Sequence, residues 1–443
     1  MLKAFFAFVV LLAAALGALA WWLSGDGLRM RLEAQASERL GVAVTVRKLS
    51  LDVWPLPNAV VSDVKVATAS PLVARTISLR PVWGKLLSQP RELEVASLSL
   101  SGLMLPQQGL DQLSSMLSIK EQTIQKIKGL EAQKASKADA AALVQVGLLA
   151  IAQHVSLDKV TWISGAKEAL TVSGDVRLSA ARDQAQVDLV LAGGSLRGVV
   201  RLGRAGSVST SSASVSAAKT NPAQRPWQLS GELKTRGVDL LALPGLGTRM
   251  AGRLEATTTL EAQAMQWGEI AAALQTRTVF NVSGAVIKGV DVAKAVRTLG
   301  LSRGGETVLQ QLSGQLTTRG TGAPMQLTLT DLQAQSSLLR ASGAVNVGAA
   351  ASAGAPRVLV GRLDVDLTAG DGKLGQTVGQ LLGIPLEISG TTVAPIVQPT
   401  KGALIGGAIG SALAPVIGTG AGAKLGDKAA AKLQGFKEKL FGK

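Results

Sequence analysis

Cysteine and tyrosine are absent from this chain, and histidine occurs once in 443 residues. The first absence removes disulfides and thiolate metal sites and leaves the redox compartment open. The lone His154 has no second His and no Cys with which to build a metal centre, and it reads as a structural residue at the edge of a half-apolar strand or helix. The sequence contains no H-E-x-x-H pair and no G-K-[ST] tripeptide, so neither a zincin site nor a Walker A loop can be formed. Asp364 and Asp366 flank Val365 and share one strand face, but spacing alone does not make a carboxylate pair catalytic. They read as the solvated side of that strand. No catalytic residue, no cofactor and no metal ligand is expected, and the chain is not read as an enzyme.

Aromatics make up only 3% of the sequence while glycine occurs 50 times, so few large side chains are present to fill a deep core. A thin, extended architecture suits that supply better than a globule. Charge is scarce but one-sided: 46 Lys and Arg against 30 Asp and Glu leave a net +16. Such an excess suits nucleic acid or anionic lipid. With no Tyr, few Phe and no aromatic stacking motif among the basic residues, an anionic lipid surface is expected and nucleic acid is not.

What is present begins with an uninterrupted apolar run of 20 residues, Ala4 to Leu23, preceded by Lys3. At ~1.5 Å per helical residue it reaches about 30 Å, the thickness of a bilayer's hydrocarbon core. Phe5, Phe6, Phe8, Leu11 and Leu12 supply its apolar surface, and Trp21 and Trp22 suit the interfacial aromatic belt. Lys3 on the short side places the body outside the cytoplasm by the positive-inside rule. The alternative is a cleaved signal with Ala18 and Ala20 at its cleavage site; both readings export the body.

After the run, Leu28, Leu32, Ala36 and Leu40 recur at helical spacing and stop at Gly41. The period then falls to two: Val42, Val44 and Val46 alternate, the phase slips, and Leu49, Leu51 and Val53 resume it. A β-bulge near Arg47 and Lys48 is expected to absorb the slip, and Leu93, Val95, Leu98 and Leu100 repeat it. From Gly109 to about Gln145, Leu110, Leu113, Leu117, Ile124 and Ile127 keep helical spacing in a Lys- and Gln-rich insertion. It reads as an amphipathic helix on the sheet, or as a lid or partner-binding arm. Strands resume after His154, including 187–191 and 227–233, and the Ser- and Ala-rich stretch 206–221 reads as a loop.

Further on, Asp291 is placed to cap a helix carrying Val292, Ala295, Val296 and Leu299 and closed by Gly300. Strands are expected at 325–334 and 363–367. A second short helix is expected through Leu374, Val378, Leu381 and Leu382, ending at Gly383 before Pro385. The uncharged stretch 402–423 has G-x-x-x-G spacings, which suit a membrane hairpin or oligomer contact, or else a sheet-packed Gly/Ala segment. Leu425, Ala429, Leu433, Phe436 and Leu440 then form an apolar stripe among lysines, the pattern of a helix lying on anionic lipid.

Two segments carry a family resemblance. The first is LDVWPLPNAVVSDVKVA from Leu51, followed by PLVARTISLRPVWGKLLSQPRELEVASLSLSGLML from Pro71 to Leu105. The second runs from VSGAVIKGVDVAKAVRTLG at Val282, through LTLTDLQAQSSLLRASGAVNVG at Leu327, to LLGIPLEISGTTVAPIVQPT ending at Thr400. Together they resemble AsmA-like envelope proteins, relatives of bridge-like lipid-transfer proteins. That resemblance implies a single-pass anchor in the bacterial inner membrane, a periplasmic body with a taco-like β-groove, and phospholipid movement toward the outer membrane. It covers roughly the first 105 and last 165 residues, in the order the family shows.

The resulting fold class is mainly β with peripheral helices: an N-terminal transmembrane helix and an elongated, curled antiparallel β-sheet. Its segments are the anchor at 1–25, an AsmA-like β module at 26–106, a helical insertion at 107–150, a central β-groove at 151–281, a C-terminal AsmA-like module at 282–400 and a Gly-rich, basic tail at 401–443. A sheet with one apolar and one polar face must hide the apolar one. Two acyl chains hold roughly 30 methylenes, whose exposure to water costs on the order of 24 kcal/mol, so an apolar trough would lower the barrier to moving a lipid. Candidates for its wall are Val44, Val46, Leu49, Leu51, Leu98, Leu100, Leu327, Leu329, Leu363, Val365 and Leu367; ordinary core packing is the alternative for each. The expected partners are phospholipid and the inner membrane, with outer-membrane or periplasmic proteins as further candidates. The competing functions are a non-transporting scaffold or regulator of outer-membrane assembly and, more remotely, a secreted β-rich adhesin.

Overall fold

In the computed structural model the described residues are 26–52, 58–82, 95–113, 115–116, 152–179, 181, 183–204, 225–266, 269–297, 304–320, 325–337, 339–351, 355–367 and 381–403. Helix α1 spans Asp26–Leu40 and stops where the sequence predicts, with Gly41 in the left-handed region at φ 73 and its N–H donating to the Ser37 carbonyl at 2.9 Å. Among the described residues no helix is long and apolar enough to cross a membrane; the apolar run 4–23 lies outside them. So do most of the 109–145 insertion, the 206–221 loop, and the tail beyond 403.

The chain divides into two compact units, Met1–Ala192 and Gly193–Lys443, a boundary that falls within the expected central groove. The first contains β1 (Val44–Asp52), β2 (Asn58–Val66), β3 (Leu72–Pro81), β4 (Val95–Pro106), β5 (Ala152–Ile163), β6 (Ala169–Leu178) and β7 (Gln184–Leu191). Each strand pairs with the next, and all these pairings but one are antiparallel. The exception corrects the expectation of a wholly antiparallel sheet: β4 and β5 run parallel. A parallel pair needs a long crossover, and residues 107–151 supply the chain length for one. A helix begins at 107, where Gln112 and Gln108 side chains accept from the Ala69 N–H and the Ser70 hydroxyl at 2.6 and 3.0 Å.

The phase slip at Arg47 is real, but no register shift accompanies it between β1 and β2, where Val46 faces Val64 and Lys48 faces Ser62. The same slip recurs at Asp63 in β2, Arg75 in β3, Gly102 in β4 and Lys159 in β5, so each strand carries one extra residue at the same transverse row. Asp63, Gly102 and Lys159 stand at φ 51, 60 and 52. Only at β6, which alternates through Gly174 without a slip, does the register jump. The expected single bulge is therefore a crease shared by five strands, because matched insertions keep the ladder aligned. The second slip, between Val95 and Leu98, does appear as a register shift opposite Arg80 and Pro81.

The second unit holds β8 (Gly194–Arg204), β9 (Trp227–Asp239), β10 (Met250–Ala264), β11 (Gln275–Lys288), β12 (Glu306–Arg319), β13 (Gln326–Gln335), β14 (Leu339–Val347), β15 (Leu359–Leu367), β16 (Leu381–Gly390) and β17 (Pro395–Pro399). Successive strands pair antiparallel throughout. A 3₁₀ turn at Leu240–Ala242, helix α2 at Ile270–Ala273 and helix α3 at Val292–Arg297 decorate the strand ends. Asp291 caps α3 as expected, accepting from the Lys294 N–H at 2.8 Å. The helix expected to end at Gly383 is corrected, since Leu381 to Gly383 open β16 and Leu381 pairs with Leu367. Their helical spacing loses to the ladder that β15 offers, and Pro385 lies beside the register shift where a missing N–H is tolerated.

Candidate functional site

In the second unit, side chains two apart along each strand share a face, and the register stacks them into transverse rows. One row runs Val238, Leu254, Val282, Leu312, Ala334, Ala341, Val365, Ile384 across β9 to β16. It is the floor of the core: Val282 and Val365 are 2% and 0% exposed, and Leu240 of the 3₁₀ turn and Val292 of α3 pack in the same cluster. Near the opposite end of β10, α2 buries Ile270, and Ala262 of that strand is buried too.

Between these covered ends the same face is only half-buried. One row there reads Leu233, Thr258, Thr278, Leu316, Leu329, Val345, Gly361, Ile388, Val397 across β9 to β17. The next reads Gly231, Leu260, Thr276, Thr318, Leu327, Val347, Leu359. Every member of both rows is intermediate in exposure. Fully burying one Val or Leu is worth about 1.5–3 kcal/mol, so each half-exposed aliphatic forgoes on the order of 1 kcal/mol. A contiguous, partly exposed apolar face of this kind is a candidate contact surface.

Four threonines interrupt the aliphatic rows. Thr258 and Thr278 lie directly opposite one another with hydroxyls 2.9 Å apart, and Thr276 and Thr318 do the same at 2.7 Å. The other face of these strands is hydrophilic, with Arg253, Glu255, Glu261, Arg277, Gln311 and Gln333 exposed, although Val279 and Val360 are also 57% and 59% exposed there.

The wall candidates divide by burial. Val44, Val46, Leu98 and Val365 are buried; Leu49, Leu100, Leu327, Leu329 and Leu363 are half-buried. Leu51 and Leu367 lie in β1 and β15, with side chains outside the described residues, as are the anchor positions from Phe5 to Trp22. Leu327, Leu329 and Leu363 are brought onto one face with Val365, whereas the β1 and β4 candidates belong to the first unit. Sequence reading passed over Leu260, Leu316, Val345, Ile388 and the four threonines. Their signal is the period-two spacing of Thr276, Thr278 and Phe280, but the run Thr257, Thr258, Thr259 does not reveal which hydroxyl faces which side.

Asp364 is exposed and Asp366 half-buried, and both line a shallow polar depression of about 300 Å³ with Gln311, Gln333, Gln335 and Arg340. Arg340 stands directly across from Asp366 in the β14–β15 register, so opposite charges face one another on this polar surface. His154 lies inside β5, its Nε2 2.7 Å from Asp175 Oδ1 on β6. That hydrogen bond, helped by Ser156 and Arg177 and opposed by partial burial, holds the Asp175 carboxyl below the usual carboxylate range. Among the described residues no group of three or more His, Asp or Glu could hold a metal ion.

In comparisons with known proteins, no family model and no curated protein matches this chain. The functional reading therefore stands on the geometry and on the residue resemblance alone.

Proposed function

We propose that this chain is an AsmA-like, membrane-anchored periplasmic protein that shields phospholipid acyl chains on an apolar β-face and contributes to lipid transport between inner and outer membranes. In this reading the sheet curls into a groove, and the first 25 residues tether it to the inner membrane as a single transmembrane helix. The observation that supports it is the pair of half-exposed aliphatic rows in the second unit, covered at either side by short elements and open between them. An acyl chain laid there removes its own methylenes and the protein's aliphatic atoms from water together, which offsets a large part of the cost of leaving a bilayer. In the second unit the buried candidate Val365 belongs to the packed core row beside the open face, and Leu327, Leu329 and Leu363 meet the ligand; Val44, Val46 and Leu98 pack within the first unit. The net +16 favours approach to anionic headgroups.

The test is lipid extraction and mass spectrometry of the chain purified in mild detergent. Co-purifying phospholipid is expected from the wild type. Leu316→Glu and Leu329→Glu place a charge on the half-exposed rows and are expected to lose most of that lipid while keeping the β circular dichroism of the wild type. A wild-type chain that keeps its β circular dichroism yet carries no phospholipid would overturn the reading in favour of a scaffold.

A further inference from the structure

The hydroxyl pairs stand on a partly exposed face whose other members are aliphatic side chains or glycine. A threonine hydroxyl donates one proton and accepts on two lone pairs. Within each pair one proton is used, by Thr258 or Thr278 in one and by Thr276 or Thr318 in the other. The accepting hydroxyl keeps its own proton, and among the described residues no acceptor takes it. Cross-strand Thr–Thr bonding explains why the pairs form, at roughly 0.2–1 kcal/mol each. It does not explain two spare donors on a face whose neighbours are Leu233, Leu260, Leu316 and Leu327.

We propose that Thr258, Thr276, Thr278 and Thr318 form a hydroxyl seat for the two ester carbonyls of a diacyl lipid, so that this face selects ester-linked over ether-linked chains. The inference rests on the lipid reading above and deepens it by naming the linkage recognised. An ester carbonyl is an acceptor without a donor, the complement of a spare O–H. Thr276 and Thr278 are two residues apart on β11, so the pairs sit about 7 Å from one another along the strand, a span that two esters joined through one glycerol can cover. The aliphatic rows run away from the seat across β12 to β16, where acyl chains leaving the esters would lie.

The experiment compares dioleoyl phosphatidylglycerol, labelled with ¹³C at both ester carbonyls, with its dioleyl diether analogue, each presented in detergent micelles to the full chain. The wild type is expected to hold the diester roughly tenfold more tightly, the effect of two hydrogen bonds of ordinary net strength, with the labelled C=O stretch shifted to lower wavenumber. Thr258→Val with Thr278→Val, and Thr276→Val with Thr318→Val, keep the β-branched shape in each pair. Each double variant is expected to reduce the preference severalfold, and the four together to abolish it and return the stretch to its micellar position. Equal retention of diester and diether by the wild type overturns the seat while leaving the lipid face standing. Retention of neither overturns both.

Discussion

Gly102 stands at φ 60, and a Cβ built on it would approach the Arg75 Cβ to 2.8 Å. Alanine there meets two penalties, a left-handed backbone worth about 1–2 kcal/mol and a contact to a side-chain root that cannot swing away. Gly102→Ala is expected to lower the unfolding free energy by roughly 2 kcal/mol in urea titrations; a loss under about 0.5 kcal/mol would mean that the crease relaxes freely. Lys159 occupies the same row at φ 52 with a side chain that gains nothing from that conformation. Lys159→Gly removes the penalty at a smaller entropic cost, so a slightly raised Tm is the expected result. A different residue-level test concerns pH. The His154 hydrogen bond is the largest cause of the lowered Asp175 pKa, so the pair's contribution is complete above the unfolded carboxylate value and is lost as pH falls through the folded one. Both side chains are more than a third exposed, at 39% and 38%, which keeps the effect within about 1 kcal/mol. The Tm of wild type should exceed that of His154→Ala near pH 6, and the gap should close as pH drops below the ordinary carboxylate range. A gap that persists unchanged at low pH would mean that packing, not the Asp175 charge, carries it.

Helix α1 shows how one element completes another. Glu33 Oε1 accepts from the Val46 N–H at 2.6 Å, Ser37 Oγ accepts from the Val44 N–H at 2.8 Å, and Arg29 Nη1 donates to the Val46 carbonyl at 3.1 Å. Positions 29, 33 and 37 recur every four residues, so one helix stripe satisfies backbone groups of β1 that β2 does not use. The double variant Glu33→Ala with Ser37→Ala should speed amide hydrogen exchange at Val44 and Val46 by at least tenfold without changing Leu98; unchanged exchange would show that other groups protect that edge. This pairing was only half legible in the sequence. The helix, its Gly41 stop, the period-two strands and the Asp291 cap follow from local chemistry and could be read directly. Register could not, because it depends on what each strand finds beside it. The crease came out as one bulge, Leu381 and Leu382 as a helix, and β4 and β5 as antiparallel for that reason. Among the candidate wall positions, period two places Leu327, Leu329, Leu363 and Val365 on one face but does not give the depth along the strand, so Val365 and Leu329 look equivalent in sequence although one is buried and the other half-buried.

For the molecule as a whole, the supply of side chains limits how much apolar surface can be hidden. With aromatics at 3% and glycine at 50 residues, and with Gly231, Gly343 and Gly361 standing among the leucines and valines of the second unit, the described residues leave these apolar rows only half-covered. Adding bulk at these sites is also blocked: a Cβ at Gly343 would come within 2.1 Å of the Arg362 carbonyl oxygen, and one at Gly361 within 2.7 Å of the Ala344 carbonyl oxygen. Under the lipid reading proposed above, an amphiphile supplied from outside fills the space, and its binding stabilises the native state alone, since the unfolded chain presents no ordered face. Delipidated protein is therefore expected to bind an environment-sensitive apolar dye while still folded, to release it on addition of diacyl phospholipid in micelles, and to gain Tm with lipid concentration. At a hundredfold excess over the dissociation constant the gain is about 2.7 kcal/mol, which is several degrees for a chain of this size. A native state that leaves the dye dark, with a Tm indifferent to lipid, would show that the chain's own residues close the face, and the half-exposed rows would then be core.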